Sequence, residues 1–354
     1  MRYIGNKENI LDKIHVILNE HQISGTSFFD FFSGTTNVAR YFKKLGYKVY
    51  CSDVMYMSFC LQKAYIENSE TPSFEGIMPL IDKDKSKLLF ASPLELVLEH
   101  LDQIPDVKGF IYKNYTPDGT KDLPQPRMYF SSENGLRIDA IRQQIEKWKN
   151  HSVITENEYF ILLACLIESV SFYANVAGVY AAFHKKWDPR AVKRLTMRPI
   201  EIIPSDQTHF VHYGNSLDIV KDIDVDIIYM DPPYNERQYL PNYHLLETIA
   251  AYDNPEIRGV TGMRGYENKK STFCNANTAL RDLEFVAQNA HYRHLVLSYN
   301  SEGIMPQDDI INVLSKYGDV VLEQFQNLRF KSNNKGLAKT KKHISEQLYI
   351  LTRQ

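Results

Sequence analysis

The sequence predicts an α/β fold, a mostly parallel sheet flanked by helices, split by a long and mostly helical insertion. Three observations predict it. Residues 27–53 read as a strand–loop–helix–strand unit. The apolar run Ile227-Ile228-Tyr229-Met230 reads as a buried parallel strand and ends at Asp231-Pro232-Pro233-Tyr234. From about Phe59 to Pro204 the pattern changes to helical segments alternating with polar loops.

The elements follow in order. Ile10, Leu11, Ile14, Ile17 and Leu18 have helical spacing and predict a helix over 8–20. Ser27 to Phe32 is a strand rich in aromatics, Ser33-Gly34-Thr35-Thr36 a turn, and Asn37 to Leu45 a helix closed by Gly46. Lys48 to Asp53 is a second strand ending on an acid. Helices are expected over 59–68, 93–103, 136–149 and 157–175, with 113–134, which holds Pro117, Gly119, Pro124 and Pro126, as a loop. Strand signals return at His209 to His212 and Val225 to Met230. A helix over 243–252, a polar Gly-rich stretch to Asn277, a helix over 279–290, a strand over 294–299, a helix over 307–317 and strands over 319–325 and 346–351 finish the sheet. The expected division is a sheet domain, 1–69 with 205–354, around an insertion, 70–204.

With 354 residues, 44% hydrophobic and 24% charged, the chain suits one large domain or two smaller ones. The formal net charge of -2 excludes a globally basic nucleic-acid binder, so any such partner must meet a local patch. Cys51, Cys60, Cys165 and Cys274 are scattered without CxxC spacing, which argues against structural zinc or disulfides. No metal is expected. The N-terminus lacks a signal-peptide core, and polar residues interrupt the most apolar stretch, 159–183, so a cytoplasmic, soluble chain with no membrane partner is expected.

The tetrapeptide carries the chemistry. Ligands of open α/β sheets bind at the carboxyl ends of the strands. There Asp231, the rigid Pro232-Pro233 and the Tyr234 ring offer acceptors and a stacking face for a planar exocyclic amine. Asp231 and the Pro232 carbonyl can each accept one amine proton, freeing a lone pair that is otherwise delocalised into the ring.

Asp30-Phe31-Phe32-Ser33-Gly34-Thr35 has one glycine rather than three, a poor dinucleotide fingerprint. It suits a ligand with a carboxylate for the helix N-terminus and an ammonium for Asp30. Asp53 is placed for two ribose hydroxyls. S-adenosylmethionine has all three handles and a transferable methyl group. Tyr3 and Lys7 could flank that cofactor.

These residues resemble the α-type, Dam-like DNA adenine-N6 methyltransferases, and most closely the FokI-type modification methylases of restriction–modification systems. The resembling pieces are Arg2-Tyr3-Ile4-Gly5-Asn6-Lys7, Phe29 to Thr35, Ser52-Asp53, Asp231 to Asn235, Arg237-Gln238-Tyr239, Asn242 to Thr248 and Leu297-Ser298-Tyr299-Asn300. The resemblance implies a Rossmann-like S-adenosylmethionine-dependent methyltransferase fold with a target-recognition insertion. It implies that Tyr3, Lys7, Asp30, Phe32, Ser33, Gly34, Thr35, Asp53 and Asp231 serve the cofactor, joined by Asn215 and Ser216, where many relatives carry an acid. Asp231, Pro232, Pro233 and Tyr234 would be catalytic, and Tyr234, Asn235, Arg237, Tyr239, Tyr243 and His244 would contact a flipped adenine.

The implied partner is double-stranded DNA, with room for a cognate restriction endonuclease acting independently. Two clusters offset the neutral total: Lys185, Lys186, Arg190, Lys193, Arg194 and Arg198, and Arg329, Lys331, Lys335, Lys339, Lys341 and Lys342. The stretch 258–265, with three glycines, could reach base edges or backbone. Three alternatives remain: an RNA adenine-N6 methyltransferase, a DNA-binding regulator that kept the fold without transfer, and methylation of a small-molecule or protein amine, since the tetrapeptide serves planar amines generally.

Overall fold

The computed structural model describes residues 3–81, 91–328 and 343–353. The chain forms two compact units. A sheet unit comprises Ile4–Gln62, Ser205–Leu240 and Tyr266–Gln354, and a helical unit comprises Met1–Tyr3, Lys63–Pro204 and Pro241–Gly265. The stretch 241–265, grouped with the sheet by sequence, clusters with the helices.

The sheet unit is built on strands β1 (Ser27–Asp30), β2 (Lys48–Asp53), β3 (Phe210–Tyr213), β4 (Asp224–Met230), β7 (His291–Asn300), β8 (Asp319–Leu328) and β9 (His343–Thr352). β5 (Ile257–Arg258) and β6 (Met263–Arg264) belong to the helical unit. The sheet order is β3-β2-β1-β4-β7-β9-β8. The first five strands are parallel, and β9 runs antiparallel between β7 and β8. From β1 the chain moves outward to β2 and β3, and from β4 outward the other way. The topological switch point therefore lies between β1 and β4, where such sheets bind ligands.

Alternation along β1 explains the core. Phe28 stacks on Phe42 of helix α2 (Asn37–Lys44), with ring centroids 3.7 Å apart. Phe29 points to the other face and joins Ile228, Met230, Leu283, Val286 and Ile310. Those last three come from helices α10 (Ala276–Asn289) and α11 (Gln307–Leu314). Leu11, Ile14, Ile17 and Leu18 are buried along α1 (Leu11–Glu20), as their spacing predicts. A short helix α3 (Tyr56–Gln62) follows β2.

The helical unit contains α4 (Pro93–Leu101), α5 (Phe110–Tyr115), α6 (Ser132–Asn150), α7 (Glu156–Tyr173) and most of α9 (Leu240–Ala251), α8 (Ser216–Ile219) lying in the sheet unit. Capping boxes start α4 at Ser92 and Glu95, and α7 at Thr155 and Glu158. The expected loop over 113–134 gives way at each end. α5 runs to Tyr115, and the Ser131 hydroxyl caps α6 earlier than apolar spacing implied. The Gly-rich stretch is not wholly irregular, because β5 (Ile257–Arg258) and β6 (Met263–Arg264) pair as a ribbon. Among the described residues no helix is long and apolar enough to cross a membrane.

Candidate active site

The carboxyl ends of β1, β2 and β4 deliver three acids to one edge of the sheet unit: Asp30, Asp53 and Asp231. The loop after β1 is tied to β2. Ser33 N–H donates to Ser52 O at 3.1 Å, and Gly34 N–H donates to Asp53 Oδ2 at 2.9 Å. Asp53 Oδ1 accepts from Met55 N–H at 2.9 Å. Gln62 donates to the Ser33 hydroxyl at 2.7 Å. Gly34 and Thr36 both have positive φ, 47° and 63°, and Thr36 is an uncommon residue for that region. The turn directs the start of α2 at Asp30, whose Oδ2 accepts from Ala39 N–H at 3.2 Å.

Asp30 Oδ1 is buried and has no hydrogen-bond partner among the described residues. Burial, then the nearby Asp231 and Asp53, push the Asp30 carboxyl up to about 8. A buried acid with one unanswered oxygen needs a donor from outside the chain. An ammonium group meets that need, so the residues fit the aminoacyl end expected of the cofactor.

Asp231 follows Met230 at the end of β4 and keeps 16% of its side chain exposed. Its Oδ1 accepts from the Tyr234 hydroxyl and lies 3.4 Å from Lys7 Nζ. Lys7 also donates to the Tyr234 oxygen and to Glu346 Oε2, the latter at 3.1 Å. Lys7 and Glu346 are both buried. No protein group among the described residues donates to Asp231 Oδ2. Burial raises the Asp231 carboxyl to about 6, with Glu346 adding to the rise while Lys7 and Tyr234 oppose it. The Tyr234 ring meets Tyr299 edge-on at 5.4 Å, and its carbonyl accepts from Ile304 N–H at 3.0 Å.

Residues 3–313 match the family model of D12 class N6 adenine-specific DNA methyltransferases. The chain belongs to this family. It is 39% identical to the type II methyltransferase M.FokI of Planomicrobium okeanokoites over 319 residues, 90% of this chain and 47% of that relative. It is 35% identical to the modification methylase StsI of Streptococcus sanguinis, over 100% of this chain and 52% of that relative. It is 35% identical to the type II methyltransferase M.NlaIII of Neisseria lactamica, over 94% of this chain and 93% of that relative. The chain thus spans about half the length of the first two and nearly all of the third. A D12 class methyltransferase needs a methyl donor, and among the described residues no His, Cys, Asp and Glu group could hold a metal ion.

Other residues singled out in this D12 class chain are placed as follows. Ser216 donates to the Phe31 carbonyl, and Asn215 is exposed and caps α8 through Leu217 N–H. Phe32 packs against Phe31 and Phe273. Thr35 is buried in the turn. Asn235 and Arg237 are exposed, and Tyr239 is half-buried. The ammonium of Lys7, expected beside the cofactor, contacts Asp231, Tyr234 and Glu346.

Tyr3, Tyr243 and His244 belong to the helical unit. Tyr3 stacks on Tyr243 at 4.3 Å, so one ring face expected for the cofactor is covered. Tyr243 and His244 are fully buried and present no surface to a base. His244 Nε2 bonds the Tyr180 carbonyl at 2.9 Å, and burial lowers its imidazole to about 4.

Of the first basic cluster, Lys185, Lys186 and Lys193 are exposed, while Arg190 pairs with Asp188 at 2.8 Å. The second cluster, Arg329 to Lys342, lies outside the described residues, as does Arg2. Glu346 is the site residue that sequence reasoning missed. Its signal is a polar triplet, Ser345-Glu346-Gln347, lying just ahead of the apolar run Leu348 to Leu351 in the same strand.

Proposed function

We propose that the chain transfers a methyl group from S-adenosylmethionine to N6 of an adenine flipped out of double-stranded DNA, as the modification activity of a restriction–modification system. The observation that carries this reading is the pair of incompletely satisfied acids at the switch point, Asp30 Oδ1 and Asp231 Oδ2.

Asp30 would hold the cofactor ammonium, the start of α2 its carboxylate, and Asp53 its ribose. Bound there, the cofactor supplies an activated methyl group on a sulfonium. Asp231 Oδ2 and the Pro232 carbonyl would each accept one N6–H of adenine, drawing the nitrogen towards tetrahedral geometry. Neither proline has an N–H to compete, and both fix the carbonyl direction. Asp231, held near neutrality at about 6, can take the proton that N6 loses on methylation. Tyr234 would stack on the base, a contact of about 1–3 kcal/mol. The helical insertion would read the target, and Lys185, Lys186 and Lys193 would meet phosphates.

The test is long-read sequencing of a plasmid that expresses the chain. Modified adenine in one short motif is expected, and it should vanish in Asp231→Ala. Unmodified adenine from folded, cofactor-binding protein would overturn the reading.

A further inference from the structure

Lys7 and Glu346 stand 339 positions apart, yet both arrive beneath Asp231. The sheet topology explains the meeting. Because β9 is antiparallel to β7, its early residues lie at the edge where the parallel strands end, and Glu346 pairs in register with Asn300, the last residue of β7. Lys7 comes from the segment ahead of α1 and is 3% exposed. A lysine carries a flexible four-carbon stem and three donors. Left with only the Tyr234 oxygen and a 3.4 Å contact to Asp231, its ammonium would be loosely aimed. The 3.1 Å bond to Glu346 adds a third buried point and fixes it.

We infer that Glu346 is a positioning residue, anchoring Lys7 so that its ammonium and the Tyr234 hydroxyl converge on Asp231 Oδ1 and leave Oδ2 to the substrate amine. The inference rests on the adenine-methylation reading above.

Glu346 also bears on Asp231 directly: its charge helps to raise the Asp231 carboxyl, which eases acceptance of the N6 proton. Glu346 therefore sets both where the Asp231 donors sit and how readily Asp231 takes a proton. Its positioning part acts through Lys7, and it need not touch either ligand.

The decisive variant is Glu346→Gln, which keeps the shape and removes the charge. The expected result is a kcat lower by about 10–100-fold, with KM for S-adenosylmethionine within about threefold of wild type. The acid limb of the kcat–pH profile should move to lower pH, a shift that a merely structural role would not produce. Glu346→Asp keeps the charge but falls one methylene short, so its kcat should drop while the acid limb stays in place. It also serves if Glu346→Gln does not accumulate as folded protein. In a Lys7→Met background Glu346→Gln should still move the acid limb but should lower kcat much less than it does with Lys7 present, because the positioning part of its role acts through Lys7. One arm needs no activity: isotope-labelled reductive methylation should leave Lys7 unmodified in the wild-type chain and label it in either Glu346 variant. Wild-type kcat, an unmoved acid limb and a protected Lys7 would overturn the inference. A wild-type chain that methylates no DNA would instead defeat the functional reading, and the labelling arm would still decide whether Glu346 anchors Lys7.

Discussion

Both units bury charge, but they answer it differently. In the helical unit the backbone answers it. Asp139 on α6 accepts from the N–H groups of Gly109, Ile111 and Tyr112 and from the Tyr252 hydroxyl. Arg142 donates to the carbonyls of Ile249 and Ala250, and Arg127 to those of Asn114, Gly259 and Val260, while Arg137 donates to those of Leu101 and Ile104 and leaves only its buried Nε without a partner among the described residues. Each fastens a loop or helix end to the unit's interior. In the sheet unit the acids of the switch point crowd one another, and Asp30 keeps an unanswered oxygen. A fully answered charge holds a fold together. A partly answered one stores an appetite for a ligand, at some loss of stability.

The same substitution should therefore act in opposite directions in the two units. Asp139→Asn replaces one oxygen by an NH2. Each Asp139 oxygen accepts from two donors, so either orientation of the amide sets donor against donor. A loss of about 3–5 kcal/mol is expected, as for a broken buried ionic network. Both tryptophans, Trp148 and Trp187, lie in the helical unit, so urea unfolding followed by tryptophan emission reads it directly. Asp30→Asn should raise the thermal midpoint instead. Near neutral pH the folded chain must protonate Asp30, whose pKa is about 8, whereas asparagine has no such demand. Equal destabilisation by both substitutions would break the contrast.

His244 gives a second handle on the helical unit. Its folded pKa of about 4 lies below the ordinary value of 6.5, so the unfolded chain binds the extra proton between those values. Its contribution to stability is complete above about pH 6.5 and is lost as pH falls towards 4. Between neutrality and about pH 4.5 the loss should reach about 2–3 kcal/mol. Tryptophan-monitored melts at a series of pH values measure it, and His244→Phe should flatten the acid side.

The contrast also explains what the sequence could reveal. Asp30, Gly34, Asp53 and Asp231 are legible because each sits at a strand end, where local spacing alone fixes the position of the residue on the sheet. The parallel strands declare themselves through aromatic and branched runs such as Phe28-Phe29 and Ile227-Ile228. Glu346 is not legible in this way. Its role depends on β9 running antiparallel and on a lysine near the other end of the chain, and no local pattern encodes either. Tyr243 and His244 follow the tetrapeptide closely in sequence, but their complete burial in Leu240–Ala251, a helix grouped mostly with the helical unit, is not announced by that closeness.

The smallest expected effect tests the appetite of Asp30 itself. An ammonium ligand favours the carboxylate, yet the ligand-free chain holds Asp30 mostly protonated below its pKa of about 8. Binding near neutrality must then expel a proton. Affinity for S-adenosylmethionine should rise with pH by about two- to threefold between pH 7 and 8, then fall as the ligand's own α-ammonium loses its proton. Calorimetry in buffers of different ionisation enthalpy should show nearly one proton released per cofactor at pH 7. Asp30→Asn should bind about 10–100-fold more weakly, the loss of a charge-assisted contact, and should release no proton. A wild-type affinity that stays flat across this range would mean that Asp30 is already ionised and answered in the free chain. The division between answered charges in the helical unit and an unanswered one at the switch point would then fail at its central residue.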